Sequence, residues 1–72
     1  MSNAREKNIR VRFGKTVREF RLKKGLSQEE LAGRSRLHRT YISDIEGGGR
    51  NVSLVNVEKL ALALKIPIRN LF

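Results

Sequence analysis

The chain has no cysteine and no tryptophan, and only one histidine, one proline and one tyrosine among its 72 residues. Without cysteine there is neither a disulfide nor a thiolate ligand for a metal. The lone histidine, His38, removes the paired histidines on which many zinc sites depend. No apolar run approaches the roughly 18 residues of a membrane span, and the N-terminal stretch lacks the apolar core of a secretory signal. These absences lead us to expect a cytoplasmic protein with no membrane partner, no metal and no cofactor. A serine, a histidine and an aspartate can be assembled on paper as a nucleophilic triad. All lie on or beside one short segment without a pocket, so no enzymatic activity is expected.

Acidic residues are scarce as well. Seven Asp and Glu stand against sixteen Lys and Arg, a net charge of +9 with His38 neutral. The imbalance is concentrated in residues 1–40, which hold twelve Lys and Arg against four Asp and Glu. Residues 41–72 are almost balanced, with four against three. Such asymmetry points to a polyanionic partner, nucleic acid before a membrane surface, although solvation of a helical surface would also account for it. A chain of this length buries only about 60% of its unfolded surface. With disulfides and metals removed, helix packing and self-association are left to stabilise it.

The apolar residues recur with helical spacing and nowhere alternate as in a strand. Ile9, Phe13, Val17 and Phe20 mark a first helix over about 11–24, stopped by Gly25. Ser2-Asn3-Ala4 has the look of a cloning remnant, and residues 1–8 are expected to form a flexible arm before a domain over 9–72. Ser27 and Glu30 form a capping box, flanked by Leu26 and Leu31 at the positions of a hydrophobic staple. They open a short second helix over about 28–34. Ile42 and Ile45 face inward on a third helix over about 39–46, ended by Gly47-Gly48-Gly49. Ser53 caps a fourth, whose stripe is Leu54, Val57, Leu60, Ala61 and Leu64. Pro67 suits the first turn of a last short helix through Phe72. The fold class is therefore all-α, with five short helices. Only Ser35 to His38 separate the second helix from the third, the spacing of a helix-turn-helix.

The run Gly25-Leu26-Ser27-Gln28-Glu29-Glu30-Leu31-Ala32, followed by Leu37-His38-Arg39-Thr40-Tyr41-Ile42-Ser43-Asp44-Ile45-Glu46, resembles the XRE-like family of phage Cro and CI repressors and their bacterial relatives. The likeness runs on through the fourth helix to Leu71-Phe72, covering about residues 11–72. It implies a lambda-repressor-like DNA-binding domain. Arg39-Thr40-Tyr41-Ile42-Ser43, with Arg50-Asn51-Val52-Ser53 beyond it, is similar to the restriction–modification controllers, small homodimers that time expression of their own gene and of an endonuclease gene. A phage-type repressor, or an antitoxin-like module holding a protein on its last two helices, is the alternative. Two positions depart from the family. Arg36 stands where a small residue usually makes the tight turn, and His38 stands where a Ser, Thr or Asp usually caps the third helix.

On this reading double-stranded DNA meets the third helix. Arg39 is suited to guanine, Thr40 to a thymine methyl, Ser43 to a base or phosphate, and Asp44 to cytosine N4, though an acid near phosphates is also repelled. The resemblance places Gln28 beside the phosphate backbone. Arg50, Asn51 and Arg36 are candidates for further phosphates, and Tyr41 is either a backbone contact or a half-buried ring. The wider family also implies an ion pair between Arg21 and Glu46. Val55 and Leu62 lie away from the fourth helix's core stripe. With Ile66, Ile68, Leu71 and Phe72 they form a candidate homodimer interface, unless the last helix folds back over them. No small-molecule effector is expected, because no effector domain follows the last helix.

Overall fold

The computed structural model describes residues 4–72, which form four α-helices and a terminal 3-10 turn. The helices are α1 (Ala4–Lys23), α2 (Gln28–Ser35), α3 (Arg39–Glu46) and α4 (Leu54–Leu64), with the turn at Ile68–Leu71. Helix α1 starts well before Val11. Ala4, Arg5, Glu6 and Lys7 are good helix formers without a breaker among them. Residues 4–8 of the expected arm are thus the first turns of α1, and residues 1–3 lie outside the described residues. The fifth element is not an α-helix: the amide N–H groups of Asn70 and Phe72 donate three residues back, to the carbonyls of Pro67 and Arg69.

All four helices stop in the same way. One or two residues past each, a residue takes a left-handed conformation, and the next amide reaches back to a carbonyl five residues earlier, as Leu26 does to Arg21. Gly25 and Gly48 fill two of these positions, but Arg36 (φ 57°) and Lys65 (φ 57°) fill the others. The family departure at Arg36 is therefore accommodated as a left-handed non-glycine residue, which costs about 1–2 kcal/mol.

The core is built from all five elements. Val17, Leu31, Ile42, Ile45, Leu60, Leu64 and Leu71 are fully buried. Helix α3 packs on both α1 and α2, while α4 packs on α2 and the terminal turn. A close crossing seats α3: a Cβ added to Gly14 would collide with the carbonyl oxygen of Ile45. The backbones of α1 and α3 touch there with no side chain between them.

Three apolar assignments need correction. Leu71 is not available to a partner; it is 1% exposed and belongs to this chain's own core. Leu54 is not in the core stripe; as the first residue of α4 it projects past the packed surface and is 80% exposed. Ile9 also remains outside the core, on the early turns of α1. Nor does the chain's end cover the outer face of α4. Leu62 is 71% exposed, and Val55, Ile68 and Phe72 are exposed as well. Ile66 is partly buried, and the Phe72 ring rests 5.6 Å from that of Phe13.

Candidate nucleic-acid interface

Local signals set the helix pair in place. Ser27 Oγ accepts the Glu30 amide N–H at 3.0 Å, and Glu30 Oε1 accepts the Ser27 amide N–H at 3.0 Å. The bond from the Ser27 amide to the carboxylate, supported by the Ser27 side chain, favours the ionised form and holds the Glu30 pKa below its ordinary value. At the other end of α2 the buried Ser35 hydroxyl donates to the Leu31 carbonyl at 2.7 Å. Arg36 then turns the chain, and Leu37 packs against the core. His38 occupies the N-cap of α3 and makes no side-chain cap bond.

Ile42 and Ile45 fix one face of α3 inward. Arg39, Thr40 and Ser43 are consequently exposed together, with Asp44 half-buried at the edge of that outward face. The first of two polar clusters lies behind α3. Arg21 Nε and Nη2 donate to the two carboxylate oxygens of Glu46 at 2.7 and 3.0 Å, a bidentate pair. Arg21 Nη1 donates to the Leu26 carbonyl at 2.8 Å. Gln28 Nε2 donates to Glu46 Oε1 at 3.2 Å. The two charged side chains are 9% and 4% exposed. Hydrogen bonding to Glu46 raises the Arg21 pKa above its ordinary value, against the opposing effect of burial. One carboxylate thereby ties the end of α1, the start of α2 and the end of α3 together. The Gln28 side-chain amide is held inward by this contact, while its backbone N–H stays at the positive end of α2.

The second cluster lies at the far flank of α3. Arg50 Nε donates to Asp44 Oδ2 at 3.2 Å, and the guanidinium carbon stands 5.4 Å from the centre of the Tyr41 ring. The Tyr41 ring is partly buried against the core, and its hydroxyl accepts from Asn56 Nδ2 at 3.1 Å. Arg10 Nε donates to the Gly48 carbonyl at 3.4 Å, linking α1 to the glycine loop. Asn51 and Arg36 are exposed.

Sequence reasoning did not single out Gly14, Arg10 or Asn56. A glycine between the buried Phe13 and Val17 was a usable sign of close backbone approach. Nothing local marks Arg10 or Asn56, whose partners are distant in sequence. Among the described residues no group of three His, Asp or Glu could hold a metal, and no helix is long and apolar enough to cross a membrane.

Comparison with known proteins agrees with this arrangement. A helix-turn-helix family profile matches residues 17–71. The chain is 57% identical over 65 residues to the control protein C.BamHI of Bacillus amyloliquefaciens, across 89% of this chain and 80% of that protein. The crystal structure of the restriction-modification controller protein C.AhdI from Aeromonas hydrophila superposes with a TM-score of 0.85 at 58% identity, covering 86% of this chain and 94% of that one. The controller C.Esp1396I, solved as a tetramer in complex with its natural 35 base-pair operator, superposes with a TM-score of 0.78 at 36% identity, covering 82% of this chain and 78% of that one.

Proposed function

This chain belongs to the helix-turn-helix family and, within it, to the restriction–modification controller proteins, and we propose that it regulates transcription as a homodimer on an inverted-repeat operator. The carrying observation is the outward face of α3, where Arg39, Thr40 and Ser43 are exposed above a rigidly seated backbone. Arg39 pairs with guanine O6 and N7, and Thr40 and Ser43 meet neighbouring base edges. The backbone N–H of Gln28 at the start of α2 binds phosphate. Arg36, Arg50 and Asn51 take further phosphates along the flanks. The Tyr41 hydroxyl accepts from Asn56 and keeps its own proton to donate to the DNA backbone.

The uncovered apolar residues Val55, Leu62, Ile68 and Phe72, with Ile66 at their edge, support the dimer. A two-fold pair sets its recognition helices about 34 Å apart, in successive major grooves. By likeness to the operator-bound C.Esp1396I tetramer, this chain also occupies its operator as a tetramer. Protein concentration, in place of a small effector, sets the response. Such a regulator acts in the cytoplasm.

Selection of bound duplexes from a random pool tests this directly. The expected product is an inverted repeat with half-sites about one helical turn apart. A pool with no enriched sequence would overturn the reading. Sedimentation at micromolar concentration checks the oligomer: Leu62→Asp should shift a dimer to monomer, and a wild-type chain already monomeric with and without operator would refute the interface.

A further inference from the structure

Asp44 sits on the edge of the face that would meet DNA, where an unpaired carboxylate would be repelled by phosphate. It is not unpaired. Its Oδ2 accepts from Arg50 Nε at 3.2 Å, and the Arg50 guanidinium lies over the Tyr41 ring, one turn back along α3. Asn56 holds the Tyr41 hydroxyl, so the ring has a fixed place to offer. Arg50 is therefore laid along α3 instead of reaching outward. Both charged side chains remain about half exposed, 51% for Arg50 and 42% for Asp44. A pair that wet is weak. It holds Arg50 against water, yet a better set of partners can open it.

We propose that Asp44 is a specificity-determining residue that withholds Arg50 from DNA phosphates until a base offers Asp44 an amino donor. The inference rests on the DNA-binding reading above and adds a coupling to it. On random DNA the guanine and thymine edges present no amino donor to Asp44, and there the carboxylate keeps its guanidinium. One cation per chain then contributes nothing to the sequence-independent attraction. On the matching base an amino group such as cytosine N4 takes the place of Arg50. The released guanidinium is then free for a flanking phosphate. A single base thus decides two contacts, and the acid improves discrimination by weakening the wrong complexes.

The test compares binding of the full chain to random duplex and to its selected operator, across about 50 to 300 mM salt. Asp44→Asn should bind random DNA about three- to fivefold more tightly for each chain in contact. Its log–log salt slope on random DNA should steepen by about 0.9 per chain, the signature of one additional phosphate contact. Glu58→Gln, which removes one negative charge from the exposed side of α4, should not steepen the slope. In an Arg50→Ala background, Asp44→Asn removes only the repulsion of an unpaired carboxylate, so it should tighten random binding modestly without the added phosphate-contact slope. The proposal is overturned if Asp44→Asn leaves random binding unchanged. It also fails if the steeper salt slope persists without Arg50, or if Glu58→Gln reproduces it. Wild-type chain that binds neither duplex at any salt would remove the DNA-binding reading itself, and that result is distinct from all the others.

Discussion

Helix α3 carries two arginine–carboxylate pairs of the same chemistry in opposite surroundings. Arg21–Glu46 is dry, bidentate and supplied with further hydrogen bonds from Arg21 to Leu26 and from Gln28 to Glu46. Arg50–Asp44 is wet and joined by a single bond from Nε. The difference separates two jobs that a salt bridge can do. A desolvated pair leaves each charge no alternative partner, so it fixes geometry without guaranteeing net stability. A solvated pair is exchangeable, so it contributes little to the fold and can respond to a ligand. In this chain the dry pair holds α3 from behind, and the wet pair lies where the ligand would arrive.

The dry pair should give the largest effect. Glu46→Ala strands a buried guanidinium and is expected to cost about 3–5 kcal/mol in chemical denaturation. Arg21→Met combined with Glu46→Leu should recover most of that loss, because two apolar residues leave no unpaired charge. An unchanged denaturation midpoint for Glu46→Ala would erase the distinction drawn between the pairs.

Gly14→Ala should come next. The added methyl meets the Ile45 carbonyl and forces α3 off α1, at a cost of about 1–3 kcal/mol or more. It sharpens the comparison by disturbing the seat of the dry pair without touching its charges, and should lower operator affinity along with stability. Asp44→Ala should change stability by less than about 1 kcal/mol, and that small difference should fade in high salt while the Glu46→Ala loss persists. A large, salt-insensitive effect at Asp44 would make the two pairs alike.

The smallest effect concerns Glu30, a fully solvated carboxylate with a depressed pKa. A group depressed in the folded state stabilises above its unfolded value, and that contribution is lost as pH falls through the folded value. Denaturation midpoints of wild type and Glu30→Gln should therefore differ at neutral pH. The gap should narrow below about pH 4.3, the ordinary glutamate value. No convergence in acid would exclude the capping box as its source.

The parts of the fold that were legible in the sequence are those fixed by neighbours in the chain. Ser27 with Glu30, Ser53 before α4, and the Ile42 and Ile45 spacing each define a helix through contacts only a few residues long. What escaped depends on placement. Leu71 and Leu62 have the same side chain on the last elements, but one enters the core and the other stays outside. Only the path of the chain after Lys65 decides which. Leu54 fits the α4 stripe by angle but sits at its very end, past the surface that α4 packs on. The pairing of Asp44 with Arg50 needs the glycine loop to bring the arginine back over α3, and spacing does not encode that path. At the candidate site, then, residue types suggested which groups could meet DNA. The prior commitments of Gln28 and Arg50 within the protein became visible only in three dimensions.

The contact between Gly14 and Ile45 has a consequence for redesign. Because two backbones meet there without an intervening side chain, α3 has little freedom to roll about its own axis or to tilt when its outer residues change. Its exposed positions behave as an exchangeable reading head on a fixed mount. Replacing Arg39, Thr40, Ser43 and Asp44 by the corresponding residues of another controller should transplant that controller's site preference while leaving the rest of the chain undisturbed.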